Sequence, residues 1–195
     1  MWKMLDKKQT GFTIVELLIV IVVIGILAAI TVVAYNGIQS RAYNTAVIAE
    51  ARRAVSLVEQ YTTVNSRYPI TASELCLTTD NVCQSNVNIA VTSNNASLMN
   101  ELRGFGEPAR SAPAGNANGR TGIIYYNFTG GTYNGQSQPV YVYYVLKGTY
   151  TNCGLPNIAN DARSALAVTA SSTGYSWTSP AGMTGCYVHI NGPNL

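Results

Sequence analysis

Residues 11–35 read GFTIVELLIVIVVIGILAAITVVAY, and the nature of this stretch decides how the rest of the chain is read. Leu17 to Ile30 is a run of fourteen residues that are apolar throughout, with Gly25 inside it, and Thr31 to Tyr35 prolong it. Phe12 to Tyr35 is twenty-four residues, about 36 Å as a helix at 1.5 Å per residue, against a hydrocarbon core of about 30 Å. The segment belongs in a membrane. Lys3, Lys7 and Lys8 precede it, and an excess of positive charge stays on the cytoplasmic side, so the N-terminus is expected inside and the following body outside. A removed secretory signal peptide has the same basic start and apolar stretch. Against that reading, Glu16 stands at the front of the run, where a lone carboxylate would cost a few kcal/mol to bury, and no small-x-small site ends the helical pattern.

Outward from this stretch, the 195 residues are 47% hydrophobic and only 11% charged, whereas an ordinary soluble domain carries roughly 25% charged residues. Asn, Ser, Thr and Gln supply the polarity, alongside 17 Gly and 13 Tyr. This composition excludes a disordered chain, a long soluble coiled coil and a histone-like binder. Of 12 basic and 9 acidic residues, Lys3, Lys7, Lys8 and Asp6 fall in the first eleven positions, leaving 9 against 8 in the remainder. The basic balance is therefore local to the N-terminal segment and gives no support to nucleic-acid binding.

The order Lys7-Lys-Gln-Thr-Gly11-Phe12-Thr-Ile-Val-Glu16-Leu-Leu-Ile-Val-Ile resembles the class III leader of type IV prepilins and pseudopilins: a short basic leader, Gly before the cut, Phe after it, Glu five residues into the mature chain, then an unbroken apolar helix. The resemblance covers about the first forty residues and the remainder in outline. It implies a pilin fold and cleavage by a membrane prepilin peptidase between Gly11 and Phe12, with N-methylation of Phe12. The subunit would be held as a single-pass protein in the cytoplasmic membrane, then passed by an inner-membrane assembly platform into a homo-oligomeric extracellular filament. Gly11 lacks a Cβ, so an extended backbone enters a protease cleft closely. Cleavage creates an ammonium on Phe12, four residues from Glu16. In the family the carboxylate's partner is the Phe12 amine of a neighbouring subunit, while the spacing also permits a pair within one chain. Gly25 and Ala29 form a small-xxx-small pair suited to close helix packing during assembly. Many pilins carry a proline in the apolar half where this chain has Val33, which sets local melting of the helix in doubt.

These readings divide the chain into a leader (1–11), a membrane and filament-core helix (12–35), an amphipathic half of the same helix (36–61) and a globular α+β head (62–195). In the amphipathic half Tyr35, Ile38, Ala42, Ala46 and Ala49 fall near one face, followed by Ala54, Leu57, Val58 and Tyr61, with Arg41, Arg52 and Glu59 on another. Asn36-Gly37 is the weak point, where a kink is expected. The stretch from Asn65 to Leu75 also looks like the one after the long helix in many pilins. Pro69 extends Tyr68, and Thr71 with Glu74 has capping-box spacing for a short helix. A second short helix is expected over Ala96 to Arg103 and a surface loop between Gly104 and Gly122. Ile123 to Thr129 and Val140 to Leu146 carry strand signals, joined by a long connection from Gly130-Gly131 through Pro139. Ala165 to Ala170 and Cys186 to Ile190 are shorter candidates. Four antiparallel strands would bury the outward half of the helix on one sheet face. Tyr125, Tyr126, Tyr141, Tyr143 and Tyr144 read as cross-strand packing, a carbohydrate or DNA stacking surface being the rival.

Cys76, Cys83, Cys153 and Cys186 all follow the membrane segment, in a compartment expected to be oxidising, so disulfides are expected in one of three connectivities. The resemblance to pilins favours Cys76 with Cys83 and Cys153 with Cys186, the second pair bracketing a C-terminal loop. A four-cysteine zinc site is the rival, without CxxC spacing. For catalysis little is on offer: His189 stands alone in an apolar strand pattern, no nucleophile elbow, P-loop or HExxH occurs, and Asp80 and Asp161 lack a dense oxygen-ligand loop. No enzyme activity, metal or cofactor is expected. The main functional expectation is a type IV pilus subunit supporting adhesion, motility or DNA uptake. The alternatives are a pseudopilin of type II secretion and a membrane-anchored binding protein that never polymerises.

Overall fold

A computed structural model describes residues 11–69, 74–78, 83–86, 89–90, 96–107, 122–162, 167–179 and 182–193. Lys3, Lys7, Lys8, Thr71, Asp80, Ala165 and most of the loop expected between Gly104 and Gly122 lie outside them. A single helix, α1, runs over Ile14–Asn65 and continues through Asn36-Gly37. The chain divides between Gln39 and Ser40 into two compact units.

In the first unit the described side chains from Phe12 to Ile38 are exposed all round the helix, and the segment is long and apolar enough to cross a membrane. In the second unit α1 becomes one-sided. Tyr43, Val47, Ala51, Ala54, Val58 and Tyr61 are buried, three or four residues apart, as a helix lying on a core requires. The expected stripe was out of phase at its start, since Ala42 and Ala49 are exposed and Ala46 is only half-buried. Each residue step turns the helix by about 100°. The larger Tyr43 and Val47 set the phase, and alanine tolerates either side.

The main sheet is antiparallel, with five strands: β1 (Glu74–Cys76), β4 (Ile124–Asn127), β7 (Val140–Lys147), β10 (Met183–His189) and β9 (Trp177–Ser179), in the order β1-β4-β7-β10-β9. Its register pairs Glu74 with Tyr126, Tyr126 with Tyr141, and Tyr144 with Cys186. Glu74 thus lies in a strand, and the short helix expected from Thr71-x-x-Glu74 is not formed there. A second pair, β2 (Gln84–Asn86) with β3 (Ile89–Ala90), precedes α2 (Ala96–Leu102) and a 3-10 turn over Arg103–Phe105.

Both faces of the main sheet are buried, not one. Tyr125, Val142, Tyr144, Leu146, Val188 and Ile190 pack with α1. On the opposite face Ile124, Tyr141, Tyr143, Val145 and Tyr187 pack with Tyr133, Ala159, Ala162 and Val168. The added layer includes a small sheet of β6 (Gln136–Ser137), β5 (Thr132–Tyr133) and β8 (Ala167–Val168), in which β5 runs parallel to β8. Hence Val140–Leu146 is buried without interruption, although period-2 alternation still divides its side chains between the two cores. Two expectations are corrected here. The connection from Gly130 to Pro139 contains a hairpin, turned at Asn134-Gly135 with φ +50° and +79°, the conformation that Asn-Gly turns adopt between strands. Of the candidate at Ala165 to Ala170, the described part places Ala167–Val168 in the small sheet, with Ala170 bridged to Ala159, and none of it in the main one.

Polar side chains fasten the helix to this body. Asn44 donates to the Lys147 carbonyl at 2.9 Å and accepts from the Lys147 amide at 2.8 Å, so its carboxamide acts as an extra strand residue at the end of β7. Tyrosines bury their rings and spend their hydroxyls on irregular backbone: Tyr144 donates to Cys153 O at 2.6 Å, Tyr125 to Pro69 O at 3.2 Å, and Tyr68 to Ile190 O at 3.3 Å. Disulfides join Cys76 to Cys83 and Cys153 to Cys186. All four sulfurs are thereby consumed, which overturns the zinc alternative.

Candidate functional site: the start of the long helix

The chemistry singled out in the sequence lies where α1 begins. Gly11 and Phe12 precede the helix in irregular backbone and are exposed, Phe12 to 82%. Thr13 is the N-cap. Its backbone N–H and its hydroxyl both donate to Glu16 Oε2 at 2.8 Å, and the Glu16 N–H donates back to Thr13 Oγ1 at 3.2 Å. This is a reciprocal capping box, which satisfies backbone donors that the first turn would otherwise leave unpaired. The helix ladder starts there too, with Leu17 N–H donating to Thr13 O at 3.3 Å.

Beside the Phe12 amine expected from the sequence, Thr13 is thus a further partner of Glu16. The signal was present: a T-x-x-E pattern immediately before an apolar run is an N-terminal signature. Both bonds found here end on Oε2, and an ionised carboxylate carries about four lone-pair sites. Capping and acceptance of an ammonium are therefore compatible on one side chain. A carboxylate near a helix N-terminus also meets the positive end of the helix dipole.

Gly25 and Ala29, one turn apart, are exposed, and apart from its chain neighbours and the backbone of its own helix no described atom lies within 4 Å of the position a Cβ on Gly25 would take. The remaining candidates are scattered over the second unit. His189 is fully buried, with its ring stacked 3.8 Å from that of Tyr133 and edge-on to Tyr141 at 5.6 Å, and neither ring nitrogen has a hydrogen-bond partner among the described residues. Burial depresses its pKa to about 4, so it is a neutral core residue. Among the described residues, no three His, Cys, Asp or Glu side chains gather as a metal site would require. Tyr125, Tyr141, Tyr143 and Tyr144 are all buried, and Tyr126 is half-buried among Phe128, Tyr143 and Tyr187, which makes these rings packing and not a stacking surface.

Comparison with known proteins bears on the same end of the chain. The prokaryotic N-terminal methylation motif matches residues 6–32. Among curated proteins, the chain is similar to proteins named type II secretion system core protein G. It is 32% identical to that of Dickeya chrysanthemi over 36% of this chain and 46% of the relative. It is 33% identical to that of Klebsiella pneumoniae over 35% and 49%, and 32% identical to that of Aeromonas hydrophila over 37% and 50%. The chain spans about half the length of the curated relatives it matches. No solved structure matches it. Methylation motif, long apolar helix and antiparallel sheet together make this a type IV pilin- or pseudopilin-like chain.

Proposed function

We propose that this chain is a filament subunit of the pseudopilin kind, cut between Gly11 and Phe12, methylated on Phe12, and polymerised through α1 for type II secretion. The observation that carries the reading is Glu16 at the head of a helix whose described apolar side chains are exposed and which is long and apolar enough to cross a membrane. A simple anchor gains nothing from a carboxylate in lipid, whereas an assembling subunit gains a partner for the ammonium of its neighbour. The partners are then a prepilin peptidase, an inner-membrane assembly platform and further copies of the chain. The subunit sits in the cytoplasmic membrane before assembly. Its role is structural and not catalytic. The similarity to type II secretion core proteins favours this over the surface pilus. The pilus reading keeps one observation of its own, the Cys153–Cys186 bridge closing a C-terminal loop, a trait shared with many pilins.

Deletion of the gene separates the two. Loss of protein export with surface fibres unchanged supports the secretion role. Loss of long sheared fibres with export intact supports the pilus. Neither defect, with the protein still anchored, would refute both.

A further inference from the structure

The end of the second unit at which α1 enters is built from three segments. Asn44 on α1 clamps Lys147 at the end of β7, and the loop that follows is tied to β10 and the turn before it. There Gly148 N–H donates to Gly182 O at 2.9 Å, and Thr151 N–H to Thr184 Oγ1 at 3.0 Å. In that loop Tyr150 is 68% exposed with a left-handed backbone, φ +56°. Such a conformation is costly for a bulky side chain and persists only where its surroundings enforce it. Its N–H donates to Thr178 Oγ1 at 3.3 Å, and the Tyr175 ring stands edge-on to it at 5.6 Å. A large ring is thus held in solvent instead of being folded into either core.

Charge at this end has one sign. Residues 40–49, 147–156 and 170–185 include Arg41 and Lys147 and neither Asp nor Glu. Lys147 Nζ lies over the Tyr43 ring, 4.6 Å from its centroid. Arg41, one turn before Asn44, is exposed, and its guanidinium joins neither of the ion pairs formed among the described residues, Arg53–Glu50 and Arg67–Glu101. Chain length limits what such a surface can meet. Six positions separate Arg41 from Tyr35, where the apolar run ends, and six residues reach at most about 21 Å even when fully extended. With that run across a bilayer, Arg41 stays within this distance of the end of the span for any orientation of the second unit.

Tyrosine is enriched at membrane–water interfaces, where its ring meets the apolar boundary and its hydroxyl stays wet. A guanidinium matches the oxygens of a phosphate with paired donors. The loops around the ring (148–152 and 171–176) are uncharged, so they bring neither a charge to desolvate nor a carboxylate to repel lipid phosphate. We infer that, before assembly, this end of the second unit docks on the phospholipid surface of the bilayer that α1 crosses, with the Tyr150 ring in the headgroup layer and the Arg41 guanidinium on lipid phosphate. The inference rests on α1 as a membrane span and gives the second unit a membrane contact of its own. Leaving the membrane for a filament then breaks this contact as well as drawing out the helix.

The test uses the full chain in vesicles of phosphatidylethanolamine and phosphatidylglycerol, some of whose lipids carry a nitroxide quencher on the headgroup. With the native cysteines in disulfides, Tyr150→Cys and, on exposed β6, Gln136→Cys each offer one thiol for a fluorophore. Quenching at 150 should exceed that at 136 at least about threefold. Arg41→Glu, made in the Tyr150→Cys chain, should lower quenching at 150 at least about twofold. A tether alone does not respond to the sign of one charge. Equal quenching at the two positions, or quenching at 150 that Arg41→Glu leaves unchanged, would overturn the contact and leave the membrane span standing. Chain that fails to float with the vesicles would overturn both.

Discussion

Glu16 has two tasks at once. Its carboxylate closes the first turn of α1 through Thr13, and under the proposed function it also receives the Phe12 ammonium of an incoming subunit. The two can be separated by substitution. Glu16→Leu should enter the membrane at least as well as wild type and should still be cut after Gly11, because the scissile bond is unchanged. Filament yield should collapse, since a buried ammonium loses its partner. Thr13→Val removes only the cap and should cost about 1 kcal/mol of helix stability with partial assembly retained. Comparing processed subunit in membranes with subunit in sheared material reads both, and equal loss for the two variants would reduce Glu16 to a capping residue. His189 makes a residue-scale prediction of another kind. Its pKa is near 6.5 unfolded and about 4 folded, so the unfolded chain takes up the proton first as pH falls. The stability it contributes is complete above pH 6.5 and is lost through the window down to about 4, amounting to about 3 kcal/mol. His189→Phe should flatten the dependence of unfolding midpoint on pH across that window, and an unchanged slope would show that His189 is not its source.

At the scale of elements, what could be read from the sequence was what repeats. The apolar run of α1 announces itself over six turns, and Val140–Lys147 with its tyrosines is unmistakably a strand. The short elements were hidden because two or three residues hold no period. Trp177–Ser179 is a strand by its pairing with β10, and the Trp177 ring lies directly over Gly185, where any Cβ would collide. The pattern T-x-x-E shows the same limit from the other side. It occurs at Thr13–Glu16, where it forms a capping box with an uninterrupted helix behind it, and at Thr71–Glu74, where Thr71 lies outside the described residues and Glu74 opens a strand. At Glu74 the next residues, Leu75 and Cys76, are drawn into the core beside Tyr125 and Ile124. The clamp between α1 and β7 was equally invisible, since Asn44 and Lys147 are 103 residues apart. Asn44→Ala leaves the Lys147 amide and carbonyl without their partner and should cost about 1–3 kcal/mol, read as a lower unfolding midpoint in denaturant. A midpoint within error of wild type would mean that solvent replaces the carboxamide fully.

For the whole molecule, the two units differ in what covers them. From Ser40 onward the chain buries its apolar surface against itself, with two cores either side of one sheet and two disulfides holding irregular segments. Alkylation without reduction should therefore leave all four cysteines unmodified, and labelling of Cys153 or Cys186 in the folded protein would contradict the pairing. Before Ser40 the described apolar side chains are exposed, and under the proposed function lipid first and then other copies of the same helix cover them. Everything in that assignment depends on the leader being removed, because only a new amine at Phe12 gives Glu16 a cation to pair with across subunits. The direct test is mass spectrometry of the N-terminal peptide from assembled, sheared protein. A chain beginning at N-methylated Phe12 is the expected result; assembled protein that still begins at Met1 would contradict removal of the leader.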